Sequence, residues 1–378
     1  MVGTASFVQK LGNSVKKVSE SKSSSWWYNH HMRAASRAIF ERIPLVDLVL
    51  EVRDARIPMS SGYEQLRYFP SSSRNIIILN KMDLANHSKT KEWMAYFKER
   101  NYIPYAINSH NKDSIKEFLN FLQARVRDIR RSTHSSETHT TTVMLVGIPN
   151  VGKSAFANSL HQIGRISAAE KGKLKHATVS PQPGQTRNII SLKIASHPNI
   201  YILDTPGILP PKILDAELSA KLALTGTIDD ILIDQSELAQ YFLSILNFSD
   251  EYKKWAKIST TDDDEAALSL GASSGGSEFD KRENQIVNDH TQDFVVRAVR
   301  RALFHEISAF KGNLEDEKDM VQLIEAQFTA LRKAFNVTSN PCGDTTGNGM
   351  VAAKLINLYR TGRLGHYTLD TLPRISES

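Results

Sequence analysis

Cysteine is almost absent from this chain: Cys342 is the single one in 378 residues, so no internal disulfide framework can support the fold and a reducing compartment is expected. No apolar run approaches the ~20 residues that a bilayer-spanning helix needs, which predicts a soluble chain while leaving peripheral membrane association open. Acidic residues do not dominate: 47 Lys and Arg against 41 Asp and Glu leave a formal charge of +6, which permits an anionic partner such as RNA without demonstrating one. Residues 1–25 hold one acid, Glu20, and no arginine, alongside Lys10, Lys16, Lys17, Lys22 and seven serines. Acid-poor, Ser-rich composition is that of an organelle transit segment, and the missing arginine fits a disordered tail equally. What the chain has in quantity is 40% hydrophobic residues over a length sufficient for two or three domains.

Short β-favouring runs at 45–52, 76–79, 102–107, 141–146, 189–194 and 200–203 alternate with helical periods at 89–100, 114–130 and beyond 153. This alternation predicts an α/β fold with a parallel sheet. Residues 164–187, rich in Lys, Gly, Pro and Thr, show no hydrophobic period and predict a mobile segment. Beyond residue 212 only helical spacing remains, at 285–310, 318–335 and 350–359, interrupted by a flexible acidic and Gly/Ser-rich insert at 259–282.

The run Thr141 to Ser154, TTVMLVGIPNVGKS, organises the rest. Gly147 to Ser154 fits G-x-x-x-x-G-K-[ST] at every fixed position, after a strand-like run and before a helix-like one. Such a loop turns backbone N–H groups inward on an anion, so Asn150, Val151, Gly152, Lys153, Ser154 and Ala155 are expected to line phosphate. Lys153 would reach the β- and γ-phosphates, and the Ser154 hydroxyl would ligate Mg²⁺. Asn80-Lys81-Met82-Asp83 follows an apolar strand and fits N-K-x-D. Guanine offers two adjacent N–H donors that a carboxylate can accept, whereas adenine does not, so Asp83 selects GTP. Asn80 would brace the loop and Lys81 would lay its stem over the base. Asp204-Thr205-Pro206-Gly207 fits D-x-x-G: Asp204 holds Mg²⁺ and the Gly207 N–H faces the γ-phosphate. Thr186 is the candidate switch threonine that reaches Mg²⁺, and Asn108-Ser109-His110 is a candidate base-side loop, the weakest element of the set.

An ordinary GTPase runs phosphate loop, switch threonine, D-x-x-G, N-K-x-D, base loop. Here N-K-x-D and the base loop precede the phosphate loop, so the domain is expected to be circularly permuted, which chains tolerate where termini lie close together. The segment after Gly207 then leads into the helical region, and nucleotide state can steer a second domain.

The permuted order, Arg53-Asp54-Ala55-Arg56, the aromatic-His-Met stretch from Trp27 to Met32, GIPNVGKS and GRLGHYTLD at 362–370 together resemble the permuted ribosome-assembly GTPases of the YlqF/RbgA type, most like the mitochondrial members and plant DAR GTPases. The resemblance spans about residues 26–375. It implies GTP-dependent binding to the large ribosomal subunit and its rRNA, and promotion of a late maturation step. Ile208 stands where small GTPases place a water-orienting glutamine, so another group must act. The resemblance implies His31 for that role, in a stretch where Asn29-His30 replace the family's Pro-Gly while His31-Met32 match. Asn150 resembles the asparagine that lets K⁺ bridge the phosphates in potassium-activated GTPases. Arg297, Arg300 and Arg301, with Lys354, Arg360 and Arg363, are candidate rRNA contacts.

The expected organisation is therefore a disordered tail or transit segment at 1–25, a permuted P-loop GTPase domain at 26–212 and a smaller all-α, RNA-binding domain at 213–378. GTP hydrolysis is assigned to His31, Lys153 and Thr186, with Mg²⁺ on Ser154, Thr186 and Asp204 and possible K⁺ at Asn150. The expected protein is monomeric and mitochondrial, with chloroplast or cytoplasm as alternatives. Two other functions stay open: a GTP-gated ribosome- or RNA-binding scaffold with incidental hydrolysis, and a signalling GTPase acting on proteins.

Overall fold

The computed structural model describes residues 4–20, 30–69, 74–132, 140–167, 188–210, 213, 215–260, 291–337 and 345–373. They fall into two compact units, one taking in Lys16–Leu232 with His366–Ser378, the other Met1–Val15 with Ile233–Gly365.

The first unit is built on a six-stranded sheet: β1 (Leu48–Asp54), β2 (Asn75–Asn80), β3 (Ile103–Ala106), β4 (Thr141–Val146), β5 (Ile190–Ser196) and β6 (Asn199–Asp204). The order across it is β3-β2-β1-β4-β6-β5. The chain runs outward one way from β1 and the other way from β4, so the order reverses between these two neighbours. Ligands of open α/β sheets bind outside the carboxyl ends of the strands at such a reversal. Counted from β4, the strands read 2-3-1-4-5-6 across the sheet. A continuous GTPase sheet has thus been entered at a different strand, and the domain is a circularly permuted P-loop GTPase fold.

β1 and β4 are central and almost wholly buried, as expected for strands covered on both faces. The expectation of a parallel sheet needs one correction: β5 runs antiparallel to β6. These two strands are joined by a turn of two residues, 197–198, and strands connected that tightly pair antiparallel.

Helices α2 (His30–Arg42), α3 (His87–Glu99), α4 (Lys112–Ser132), α5 (Lys153–Ser167) and α6 (Ala216–Leu224) belong to this unit. In α4 the residues Ile115, Phe118, Leu119, Leu122 and Val126 recur every three or four positions, and all are buried. The Asn86 side chain accepts the Lys89 N–H at the start of α3, and the Asp215 side chain accepts the Leu218 N–H at the start of α6. α2 packs Ile39 into a cluster with Val49, Met144, Val146 and Ile208, flanked by Ala35.

The second unit is helical: α7 (Gln235–Phe248), a 3-10 segment (Glu251–Thr260), α8 (Asp293–Ala309), α9 (Glu317–Ala334) and α10 (Thr345–Arg360). Phe242 of α7 packs on Tyr359 of α10 with ring centroids 4.7 Å apart.

Both ends of the chain depart from the sequence expectation. The stretch expected as a disordered tail or transit segment contains a helix, α1 (Ala5–Glu20), whose Phe7, Leu11 and Val15 are buried; apolar residues four apart make one sticky face, which departs from the disordered-tail alternative over these residues. The domain boundary expected at 212 also moves, because α6 and the terminal stretch from His366 cluster with the GTPase unit. There Asp370, 5% exposed, accepts the backbone N–H groups of Met59 and Ser60 and pairs with Lys221 of α6 at 3.0 Å. Most of the insert expected at 259–282 lies outside the described residues, as do 168–187 of the segment expected to be mobile.

Candidate functional site

The phosphate-loop, N-K-x-D and D-x-x-G motifs each begin at the carboxyl end of a strand or just after it. β4 ends in Val146, and Gly147–Val151 turn into α5 at Lys153. Positive-φ backbone positions allow the turn, among them Asn150 and Gly152. Asn150 has φ +59°, which asparagine tolerates better than most residues. Gly152 has φ +93°, and a Cβ there would stand 2.3 Å from Asn80 Nδ2. The Lys153 ammonium folds back over the loop, donating to the carbonyls of Gly147 at 3.0 Å and Ile148 at 2.8 Å. Burial lowers its pKa to about 8; the nearby Asp204 carboxylate works against that shift and the Lys81 charge adds to it.

Asp204 ends β6 with no exposed surface. One carboxylate oxygen, Oδ2, accepts the Ser154 hydroxyl at 2.7 Å; the other, Oδ1, is buried without a hydrogen-bond partner among the described residues. Burial raises the pKa of this carboxyl, against the pull of the Ser154 hydroxyl and of Lys153. A buried carboxylate oxygen left unsatisfied is costly unless something cationic meets it. GTPases work with Mg²⁺, and a hard oxygen pair of carboxylate and hydroxyl is the donor set that ion takes. The residues therefore fit Mg²⁺. Gly207 lies against the phosphate loop: a Cβ on it would come within 2.6 Å of Pro149 Cα. Thr186, the third expected Mg²⁺ contact, lies outside the described residues.

The N-K-x-D turn is bonded directly to the phosphate loop. Asn80, 1% exposed, donates from Nδ2 to the Val151 carbonyl at 2.8 Å. Its Oδ1 accepts both the Ser109 N–H at 3.2 Å and the Ser109 hydroxyl at 2.7 Å. One buried amide thus fastens the phosphate loop to the base-side loop. Asn108 is half-buried, and its Oδ1 accepts the His110 N–H, which shapes the same turn. Lys81, at φ +60°, donates to the Asn150 carbonyl and pairs with Asp54 at 3.1 Å. Asp83 is exposed, and no hydrogen bond or ion pair among the described residues engages its carboxylate. The stretches written in swapped order along the chain therefore close on one cleft.

His31 is placed in the first turn of α2. Position 31 precedes Ala35 by four residues and Ile39 by eight, so it shares the helix face whose later members join the core cluster that also holds Ile208. Ile208 itself is 4% exposed and is a core side chain. Trp27, Tyr28 and Asn29 lie outside the described residues. Val151 is buried and Ala155 half-buried at the start of α5. The Asn150 side chain donates to the Gly226 carbonyl at 2.7 Å, beyond α6.

Sequence reasoning missed three participants. Asp54 and Arg56 served only as marks of resemblance, yet they lie at the carboxyl end of β1 beside the phosphate-loop strand, and that placement was the available signal. Gly226, which binds Asn150 through its backbone, left no signal of side-chain type.

A family model described as 50S ribosome-binding GTPase matches residues 142–263. The chain is 56% identical over 376 residues to DAR GTPase 2, mitochondrial, of Arabidopsis thaliana, spanning 99% of this chain and 98% of that one. It is 39% identical to Short integuments 2, mitochondrial, of the same plant over 352 residues, 92% of this chain and 89% of that one. Ribosome biogenesis GTPase A of Bacillus pumilus matches at 31% over 285 residues, 74% of this chain and 95% of that one. With the permuted sheet and the closed motif set, these likenesses establish that the chain belongs to the family of circularly permuted ribosome-biogenesis GTPases and is a GTP-hydrolysing enzyme.

Proposed function

We propose that this GTPase binds the large ribosomal subunit of the mitochondrion and promotes a late step of its maturation. The observation that carries the proposal is the near-complete span of the likeness to a relative named DAR GTPase 2, mitochondrial, with both of the present units included. In this reading Asp83 accepts the guanine N–H groups, and Asn80 and Ser109 hold the base loop. Asn108 shapes that loop, and the Lys81 stem covers the base. Backbone amides from Asn150 to Ala155, with the Lys153 ammonium, hold the phosphates, and the Gly207 N–H meets the terminal one.

Ser154, Asp204 and Thr186 would hold Mg²⁺, which would supply positive charge against the β- and γ-phosphates. Ile208 is committed to the core and cannot orient water. His31 takes that role: the α2 face that carries position 31 enters the core cluster that holds Ile208, the residue after Gly207. Asn150 would hold K⁺, which would add positive charge to that of Lys153. Chain Arg297 of α8 makes rRNA phosphate contact; Arg300 and Arg363 are better explained as ties within the helical unit, since Arg300 Nε donates to the Arg363 carbonyl at 2.8 Å and Arg363 pairs with Asp293 at 2.8 Å. The protein acts as a monomer.

A second reading, a GTP-gated scaffold with incidental hydrolysis, is favoured by the burial of Ile208 alone. The deciding experiment is GTP turnover with and without large subunits, in K⁺ and in Na⁺ buffer, for the wild type and His31→Ala. The proposal expects slow intrinsic turnover, at least tenfold stimulation by subunits in K⁺, and loss of that stimulation in the variant. Stimulation that survives in His31→Ala removes the histidine from the mechanism, and no stimulation at all supports the scaffold.

A further inference from the structure

Asp54 ends β1 directly beside Asn80 of β2, its register partner, and is 1% exposed. Its carboxylate receives four donors. Oδ1 accepts the backbone N–H of Arg56 at 3.0 Å and Arg56 Nε at 2.9 Å; Oδ2 accepts Arg56 Nη2 at 2.7 Å and the Lys81 ammonium at 3.1 Å. The same ammonium donates to the carbonyl of Asn150 in the phosphate loop. Lys81 is therefore a bracket between the strand end at Asp54, the base-reading turn and the phosphate loop.

Charge balance does not require this arrangement. Arg56, 2% exposed and bidentate on Asp54, already neutralises the carboxylate, and a second cation on the same group adds repulsion against the first. The arrangement does change what Lys81 can do. A free lysine side chain carries considerable rotamer entropy, so a stem tethered at its tip before ligand arrives lies in place without ordering at the moment of binding.

We propose that Asp54 is a positioning residue for guanine-nucleotide binding: by holding the Lys81 ammonium it fixes the lysine stem over the base and the Asn150 carbonyl at the apex of the phosphate loop. The inference rests on the reading of Lys81 as the side chain that covers guanine. The alternative is that Asp54 only holds the turn through Arg56 and Ser61, whose hydroxyl accepts the Asp54 N–H.

The test is a double-mutant cycle on the full chain, with GDP as the probe and calorimetric Kd as the readout, and with urea unfolding to establish that each variant folds. Lys81→Met keeps an unbranched stem and loses the ammonium; it is expected to bind GDP about tenfold more weakly than the wild type, as the loss of a charged hydrogen-bonded anchor predicts. Asp54→Asn should cost about tenfold in the wild-type background and less than twofold in the Lys81→Met background. Equal costs in both backgrounds, or wild-type GDP affinity in Lys81→Met, overturn the proposal. If Asp54→Asn gives no cooperative unfolding transition, Lys81→Met decides alone. Lys81→Ala separates this failure from failure of the underlying reading: wild-type affinity in that variant means that Lys81 does not cover the base at all.

Discussion

Asp54, Arg56, Asn80, Lys153 and Asp204 of the GTPase unit are each no more than 6% exposed, and four of the five carry ionisable groups. In the helical unit the buried polar side chains are mostly neutral; the exception, Glu251, pairs with Lys254. Its central pair satisfies itself: Asn247 Nδ2 donates to Gln327 Oε1 at 3.2 Å, and Gln327 Nε2 donates back to Asn247 Oδ1 at 2.7 Å. The GTPase unit is less self-sufficient, for Asp204 Oδ1 finds no partner among the described residues and the Lys153 ammonium bonds only carbonyls of its own loop. Buried charge that is incompletely met is costly to stability and therefore marks where a ligand belongs. The helical unit is organised for packing, the GTPase unit for an anion and its metal.

The largest test of this contrast is Phe242→Ala in the helical unit. Removing a fully buried ring that packs at a tilt against Tyr359 should destabilise that unit by about 3–5 kcal/mol in urea unfolding and leave GDP affinity within twofold. A parallel loss of GDP binding would break the division of labour.

Lys153→Met makes the reciprocal change: GDP affinity should fall about a hundredfold in calorimetry, the order expected when a charged contact to phosphate is lost, while urea stability holds or rises because a buried ammonium is gone. Marked destabilisation would mean that Lys153 is structural.

Next in size is a pH effect. The Lys153 pKa of about 8 in the free fold lies below its ordinary 10.5, so between those values the unfolded chain binds more protons and fold stability rises with pH. Nucleotide requires the ammonium, so GDP affinity should fall with pH above about 8, by at most tenfold per unit, with proton uptake measurable by calorimetry in buffers of different ionisation heat. Asp54 gives the same slope in a lower pH window. Although burial opposes it, the Arg56 and Lys81 charges hold its pKa well below 3.8, so its stabilisation is present above that value and is lost as pH falls. An affinity flat to pH 10 would show that Lys153 does not carry the phosphate charge.

The smallest expected change is Arg297→Glu on the exposed face of α8. It should weaken large-subunit binding several-fold in cosedimentation, reduce the salt slope by about 1 and leave GDP affinity and stability unaltered. An unchanged salt slope would leave that face as ordinary solvated surface.

The motifs of the cleft were legible in the chain's order of residues, because phosphate-loop and N-K-x-D turns depend on local backbone geometry and on side chains at fixed short spacings: Gly152 at φ +93°, Lys153 at the helix start and Asn80 at a strand end are all written locally. The sequence by itself also determined the permutation, which is a matter of order alone. Which distant segments meet emerged from the folded molecule: that β5 reverses, that α1 buries Phe7, Leu11 and Val15, and that the stretch from His366 clusters with the GTPase unit. The same holds for the meeting of Asp54 and Lys81 and for the burial of Ile208 beside Ile39, since neither pair is related by any helical or strand period. Contacts of this kind follow from which loops the sheet order brings to one end, and a spacing rule has no access to that.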